Sequence, residues 1–248
     1  MNYTNPFRRF LFRADLLKRI KARLADCKRR LGKNEVSDLA VLFHNEPPKV
    51  IFDVGANVGF FTWQLTRLFP QALVYAFEPD PAARQLLQQT HGANRQVQVI
   101  PMAAADRNGQ LAFTQRALSC NSSLGQTTEE TGPNHQGNML VQATALDSFC
   151  ADRSISRIDL LKTDTEGADL RVLEGAKGLL AEQRIDAIMS EVFFVPTYRG
   201  QPTLEDLAGF LRSYGFGLFN IYIARETRCR QACYANVIFT SQRLTRKE

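Results

Sequence analysis

The run Val50-Ile51-Phe52-Asp53-Val54-Gly55-Ala56-Asn57-Val58-Gly59-Phe60-Phe61 limits the fold more than any other stretch of the chain. Its apolar, β-branched opening reads as a buried strand, its small residues as a tight turn, and the residues from Val58 as the start of a helix. A second strand comes next and closes on Phe77-Glu78-Pro79-Asp80. Strand, glycine turn and helix together aim backbone N–H groups and a helix N-terminus at one ligand. A carboxylate ending the next strand stands where a ribose diol would lie. The pattern predicts a nucleoside-containing ligand.

From Val50 onward strands and helices alternate. Strands are predicted at 50–54, 73–77, 97–101, 158–163, 185–191, 217–223 and 234–240, and helices at 58–69, 81–90, 168–181 and 203–214. Short, near-continuous apolar runs such as Ile158-Asp159-Leu160-Leu161 suit parallel strands buried on both faces. Such alternation implies a Rossmann-like, doubly wound α/β sheet of seven strands. Polar, turn-rich residues 115–138 interrupt the rhythm and predict a loop near the site, one that could bring His135 to it.

The net charge of +6 is unevenly spread. Residues 1–33 hold eleven Lys and Arg against Asp15 and Asp26, so the rest of the chain is slightly acidic. In that segment Phe10, Leu17, Ile20, Leu24, Cys27 and Leu31 recur at helical spacing. Residues 1–45 are therefore expected to be a basic amphipathic helical segment, an accessory to a catalytic domain at 46–248, with Pro47-Pro48 at the boundary. Its apolar stripe packs on the domain, or residues 7–33 lie on an anionic membrane surface. Basic charge on one helix without interleaved aromatics is a poor nucleic-acid signature, so no nucleic-acid partner is expected. No secretory or membrane-spanning segment is visible and the five cysteines are scattered, which predicts reduced thiols and a cytoplasmic chain.

The turn also discriminates between cofactors. The dinucleotide fingerprint is G-x-G-x-x-G, whereas Asp53, Gly55, Asn57 and Gly59 follow one another at steps of two. Asn57 tolerates left-handed backbone better than most residues, so the turn still forms. The leading Asp53 suits a ligand with a cationic amino-acid group and would repel the phosphates of NAD. S-adenosyl-L-methionine has that ammonium. Glu78, beside Pro79, is the expected acceptor for its ribose hydroxyls. In Ala103-Ala104-Ala105-Asp106, Asp106 could accept from the adenine amino group while Ala105 leaves room for the flat ring. The predicted cofactor contacts are therefore Asp53, Gly55, Ala56, Asn57, Gly59, Glu78, Pro79, Ala105 and Asp106.

From about Val50 to Phe239 the chain resembles the FkbM family of S-adenosylmethionine-dependent methyltransferases. Four motifs carry the resemblance: Asp53-Val54-Gly55-Ala56-Asn57-Val58-Gly59; Ala76-Phe77-Glu78-Pro79-Asp80; Leu161-Lys162-Thr163-Asp164-Thr165-Glu166-Gly167-Ala168-Asp169; and Ser190-Glu191-Val192 with Tyr198-Arg199-Gly200-Gln201-Pro202. Asp169 stands where the family pattern has Glu. The resemblance implies methyl transfer to hydroxyl groups, often of sugars or of glycosylated and polyketide small molecules.

An aliphatic alcohol is a poor nucleophile at neutral pH, so the acceptor needs a base or a cation that acidifies it. Ligands gather at the carboxyl ends of strands in such sheets. This makes Asp164 the first candidate base, Glu191 the second, and Glu166 either a third carboxylate of the site or a helix-start cap. If a metal such as Mg²⁺ takes part, Asp164 and Glu191 would hold it. Lys162 and Tyr198 are expected near the acceptor, with Lys162 able to pair with one of the carboxylates. Two competing readings are a non-enzymatic S-adenosylmethionine-binding scaffold recruited by its basic helix, and a NAD-dependent oxidoreductase.

Overall fold

The computed structural model describes residues 34–116, 135–195, 197–198, 200–226 and 232–245. The basic segment 7–33 and most of the expected loop, residues 117–134, lie outside the described residues. The chain divides into two compact units, Met1–Leu42 and Phe43–Glu248. In the first, helix α1 (Glu35–Leu42) starts at Asn34, whose side chain accepts the Ser37 N–H at 2.9 Å.

The second unit is built on seven strands: β1 (Val50–Val54), β2 (Leu73–Phe77), β3 (Val97–Ile100), β7 (Ile158–Thr163), β8 (Ile185–Phe193), β9 (Phe216–Glu226) and β10 (Ala232–Ser241). Their order across the sheet is β3-β2-β1-β7-β8-β10-β9. All seven predicted strands are present. Neighbours from β3 to β8 pair in parallel, and β10 runs antiparallel to both β8 and β9. Helices α2 (Phe60–Leu68), α3 (Pro81–His91) and α7 (Leu204–Arg212) fall where they are predicted. α3 is started by Asp80, which accepts from the Ala82 N–H at 2.8 Å ahead of a first-turn proline, and α7 by a Thr203–Asp206 capping box. Strand order reverses between β1 and β7, so their carboxyl ends flank a crevice.

Three features depart from expectation. A second sheet, β4 (Ala103–Ala104), β6 (His135–Thr144) and β5 (Gly109–Arg116), occupies part of the predicted loop, and His135 opens a strand. Leu111, Phe113, Val141 and Ala143 alternate inward from that hairpin to make its core. The single helix predicted at 168–181 is broken into α5 (Asp169–Glu174) and α6 (Lys177–Ala181). A Cβ at Gly175 would lie 1.9 Å from the Ala105 carbonyl oxygen, so the chain passes Ala105 more closely than any side chain allows. Asp147, in the unpredicted helix α4 (Leu146–Asp152), then accepts the Gly178 and Leu179 N–H groups at 2.8 and 2.9 Å.

On the α4 side of the sheet, Phe149 packs against Phe52, Tyr75 and Phe77 with ring centroids 4.8–5.7 Å apart. Cys150 carries a free, buried thiol. Among the described residues no helix is long and apolar enough to cross a membrane. Among the described residues the last helix is α8 (Gln242–Thr245).

Candidate active site

The turn after β1 is left-handed at three points: Gly55 (φ 75°), Asn57 (φ 52°) and Gly59 (φ 85°). A Cβ on Gly55 would sit 2.0 Å from the Asp164 carbonyl oxygen, so glycine is required by both conformation and space. The Gly55 and Ala56 N–H groups donate to the Phe77 carbonyl at 3.1 and 3.0 Å. Glu78 accepts the Asn57 N–H at 2.7 Å through one oxygen and the Asp80 N–H at 2.8 Å through the other. Each oxygen keeps lone-pair capacity for a further donor, which fits a ribose diol. Burial pushes the Glu78 carboxyl up to about 7, against the pull of those two N–H groups. Arg84 donates to the Pro79 carbonyl at 2.8 Å and holds the end of β2 in place.

Asp53 is enclosed rather than presented to a ligand. It is 0% exposed, accepts the Thr62 hydroxyl at 2.6 Å and pairs with the Lys162 ammonium at 3.1 Å. The β1–β7 register sets these two residues side by side, which is why they meet. The expectation that Asp53 faces a cationic cofactor group is corrected accordingly: its charge is met from within the protein. Lys162 is likewise engaged within the protein. It is 4% exposed and bridges Asp53, Asp164 at 3.3 Å and the Gly55 carbonyl at 3.3 Å. Burial disfavours its charged form, but Asp164 and Asp53 outweigh burial and raise its pKa. The pairing of Lys162 with a carboxylate is met twice over.

Asp106 gives one oxygen, Oδ1, to the Arg171 guanidinium at 2.7 and 3.0 Å. Arg171 thereby holds the Asp106 carboxyl below its usual range, more than offsetting burial, which acts the other way. Ala105 is fully buried, its N–H bound to the Thr144 carbonyl at 3.0 Å.

At the carboxyl ends of β7 and β8 three acids converge: Asp164, Glu166 and Glu191 each place an oxygen within 4.8 Å of the others. The β7–β8 register pairs Thr163 with Ser190, so the next residues along, Asp164 and Glu191, end up as neighbours. Glu166 is no helix cap. It lies in the turn before α5 at φ 55°, and its carboxylate accepts the Tyr198 hydroxyl. Burial, then Asp164, raise Glu166 to about 8, and burial with Asp164 and Glu166 raises Glu191 further. Glu191 shares a hydrogen bond with Asp164, and its Oε2 is buried without a donor. Asp169, buried against Thr163 and Thr165, is raised by burial to about 6. Burial and the neighbouring acids thus favour the protonated forms of Glu191 and Glu166, while Asp164, 38% exposed, meets solvent beside the ammonium of Lys162.

Tyr198 is buried, its ring against Phe193 at 5.4 Å and over Gly167, where a Cβ would come within 3.0 Å of it. Its hydroxyl is committed to Glu166, so it shapes the acid cluster from behind. Three oxygen donors this close also fit a hard divalent cation such as Mg²⁺.

A doubly wound sheet of this order, with a glycine turn at the switch point facing a buried strand-end glutamate, defines an S-adenosyl-L-methionine-dependent methyltransferase. The chain belongs to the FkbM family, whose methyltransferase domain model matches residues 53–218. With that assignment the oxidoreductase reading falls. The chain is 28% identical over 180 residues to the 2-O-methyltransferase NoeI of Sinorhizobium fredii, covering 68% of this chain and 73% of that protein. It is 28% identical over 198 residues to the 31-O-demethyl-FK506 methyltransferase FkbM of Streptomyces tacrolimicus, covering 68% and 73%. It is 26% identical over 164 residues to the hexuronic acid methyltransferase AglP of Haloferax volcanii, covering 65% and 62%.

Proposed function

We propose that this chain transfers the methyl group of S-adenosyl-L-methionine to a hydroxyl of a sugar or of a glycosylated or polyketide small molecule, with Asp164 as the base. The convergence of Asp164, Glu166 and Glu191 at the crevice carries this reading. The activities for which the relatives are named, on a 2-O position, on a hexuronic acid and on a demethylated FK506, support the acceptor class. Residues 46–248 form the catalytic domain in this reading and residues 1–45 an accessory segment.

When bound, the cofactor supplies the methyl group, which leaves the sulfonium sulfur as the acceptor oxygen bonds to it. Asp164 takes the acceptor proton as that bond forms. Glu191 keeps its own proton and shares it with Asp164, so the exposed acid is the one that accepts. Gly55, Ala56, Asn57 and Gly59 would hold the amino-acid moiety, and Glu78 would take the ribose hydroxyls. Asp106, one oxygen of which is held by Arg171, would offer Oδ2 to the adenine amino group, with the fully buried Ala105 supporting that wall from within. Asp53 acts from beneath, through Lys162 and Thr62.

A second reading rests on the 4.8 Å spacing of the three acids: Mg²⁺ held by Asp164 and Glu191, with Glu166 adjoining, would displace the Glu191 proton and acidify the acceptor hydroxyl. One experiment addresses both. Methyl-labelled cofactor is incubated with glycolipid, polysaccharide and macrolide fractions, with and without EDTA. Base-stable label on a carbohydrate or polyketide hydroxyl is expected. Label appearing only in nucleic acid or protein would sink the acceptor class, and activity untouched by EDTA would sink the cation.

Glu78 makes cofactor binding pH-dependent. Its ionised form accepts the ribose hydroxyls, so affinity is expected to fall as pH drops through about 7, approaching about tenfold per unit below that. Calorimetry between pH 5.5 and 7.5 checks this, and Glu78→Gln should flatten the profile. A wild-type Kd that stays constant across the range would count against Glu78 as the ribose acceptor.

A further inference from the structure

We infer that His91 is a positioning residue for the cofactor turn, gripping its far end through the Gly59 carbonyl. His91 is the last residue of α3, and the three residues before it are exposed, yet it is 3% exposed itself. Its Nε2 lies 2.9 Å from the Gly59 oxygen. A carbonyl can only accept, so Nε2 carries the hydrogen and donates. That same oxygen receives the Trp63 N–H at 3.0 Å, the first hydrogen bond of α2. Gly59 is the cap residue of α2 and has no side chain to do the capping. A Cβ there would fall 2.6 Å from His91 Cδ2 and from Leu87 Cδ1, so ring and turn lie in direct contact.

The turn is therefore held at both ends by one continuous segment. Phe77 and Glu78 bind its start, through the N–H groups of Gly55, Ala56 and Asn57. α3 leaves directly from Glu78-Pro79-Asp80, locked by the Asp80 cap, and returns one helix length later to bind the turn's end through His91. The helix acts as a fixed spacer between the ribose-binding glutamate and Gly59. Burial holds the imidazole pKa down, so the ring is neutral at pH 7. Neutrality limits the desolvation cost of a donor at this depth.

The inference rests on the reading that the Gly55–Gly59 turn holds S-adenosyl-L-methionine, and wild-type calorimetry tests that part alone: no binding would sink the turn reading itself. For His91, the expected result is that His91→Leu raises KM for the cofactor about tenfold with kcat within about twofold, the loss of one hydrogen bond's worth of positioning. His91→Gln, whose amide N–H can reach the same carbonyl, should recover most of the difference. A packing role predicts otherwise: a lower melting temperature, unchanged KM in the folded fraction, and no advantage for Gln over Leu. That outcome would overturn the inference. Should His91→Leu not fold, imidazole ¹⁵N resonances of the wild-type protein serve instead. Saturation with the cofactor should shift the His91 Nε2 signal and slow its proton exchange, and an unmoved signal would overturn the proposal.

Discussion

Replacing Asp164 by asparagine is expected to lower kcat by a factor of about 10²–10⁴, the usual contribution of a positioned general base. The amide keeps the size and much of the hydrogen bonding of the carboxylate but cannot take a proton. Damage to the fold should be small, because the side chain is 38% exposed and Lys162 keeps Asp53 as its counter-ion at 3.1 Å. Affinity for S-adenosyl-L-methionine should stay within about threefold, since the turn and Glu78 are untouched; kcat and Kd thus separate. Glu191→Gln is the control. Glu191 is held protonated by burial and by its acidic neighbours, so an amide there replaces a neutral acid with a neutral donor, and the expected loss is nearer tenfold. An Asp164→Asn enzyme keeping more than a tenth of its activity would remove Asp164 as the base. Equal, large losses for the two variants would favour the cation reading, in which both are ligands. The non-enzymatic scaffold reading makes the opposite prediction: biological activity survives the loss of both acids.

Sequence and structure agree where the signal is local. The seven main strands are short apolar runs that no other element could accommodate. The left-handed Asn57, the buried Glu78 and the close pass of Gly55 all stem from residue types at fixed spacing. The β5–β6 hairpin is harder to see, because polar residues 117–134 separate two strands whose inward alternation, Leu111-x-Phe113 and Val141-x-Ala143, is only a few residues long. The break after Glu174 has no local cause: Gly175 interrupts the helix because Ala105, seventy residues earlier, lies against it. The same holds within the site. Asp164, Glu166 and Glu191 are visible as acids at strand ends, but the pairing of Lys162 with Asp53 depends on the β1–β7 register, and the Glu166–Tyr198 bond joins two loops. His91 lies outside every motif. Its one signal is the stripe Ala83, Leu87, His91 at four-residue spacing, which marks the buried face of α3 and so places an imidazole where only an aliphatic would be routine.

Lys162→Met is expected to destabilise the domain by about 3–5 kcal/mol, the cost of leaving a buried charge without its partner. Asp53 is 0% exposed, and its charge is met by the Lys162 ammonium and the Thr62 hydroxyl. For a chain of this size each kcal/mol moves the melting temperature by about 2–4 °C, so a fall on the order of 10 °C should be seen by calorimetry. The Gly55 carbonyl loses its ammonium too, so cofactor affinity should drop together with stability. The double variant Lys162→Met with Asp53→Asn decides the cause. Removing the orphaned charge should return more than half of the lost stability, a coupling that two independent substitutions would not show. If Lys162 instead touched the acceptor, the single variant would fold normally, lose acceptor kcat/KM alone, and gain nothing from Asp53→Asn. The first outcome places Lys162 as a buried tie whose main partner is Asp53: one ammonium meets Asp53 under the turn and the Gly55 carbonyl within it, while Asp164 is its outer, half-exposed contact.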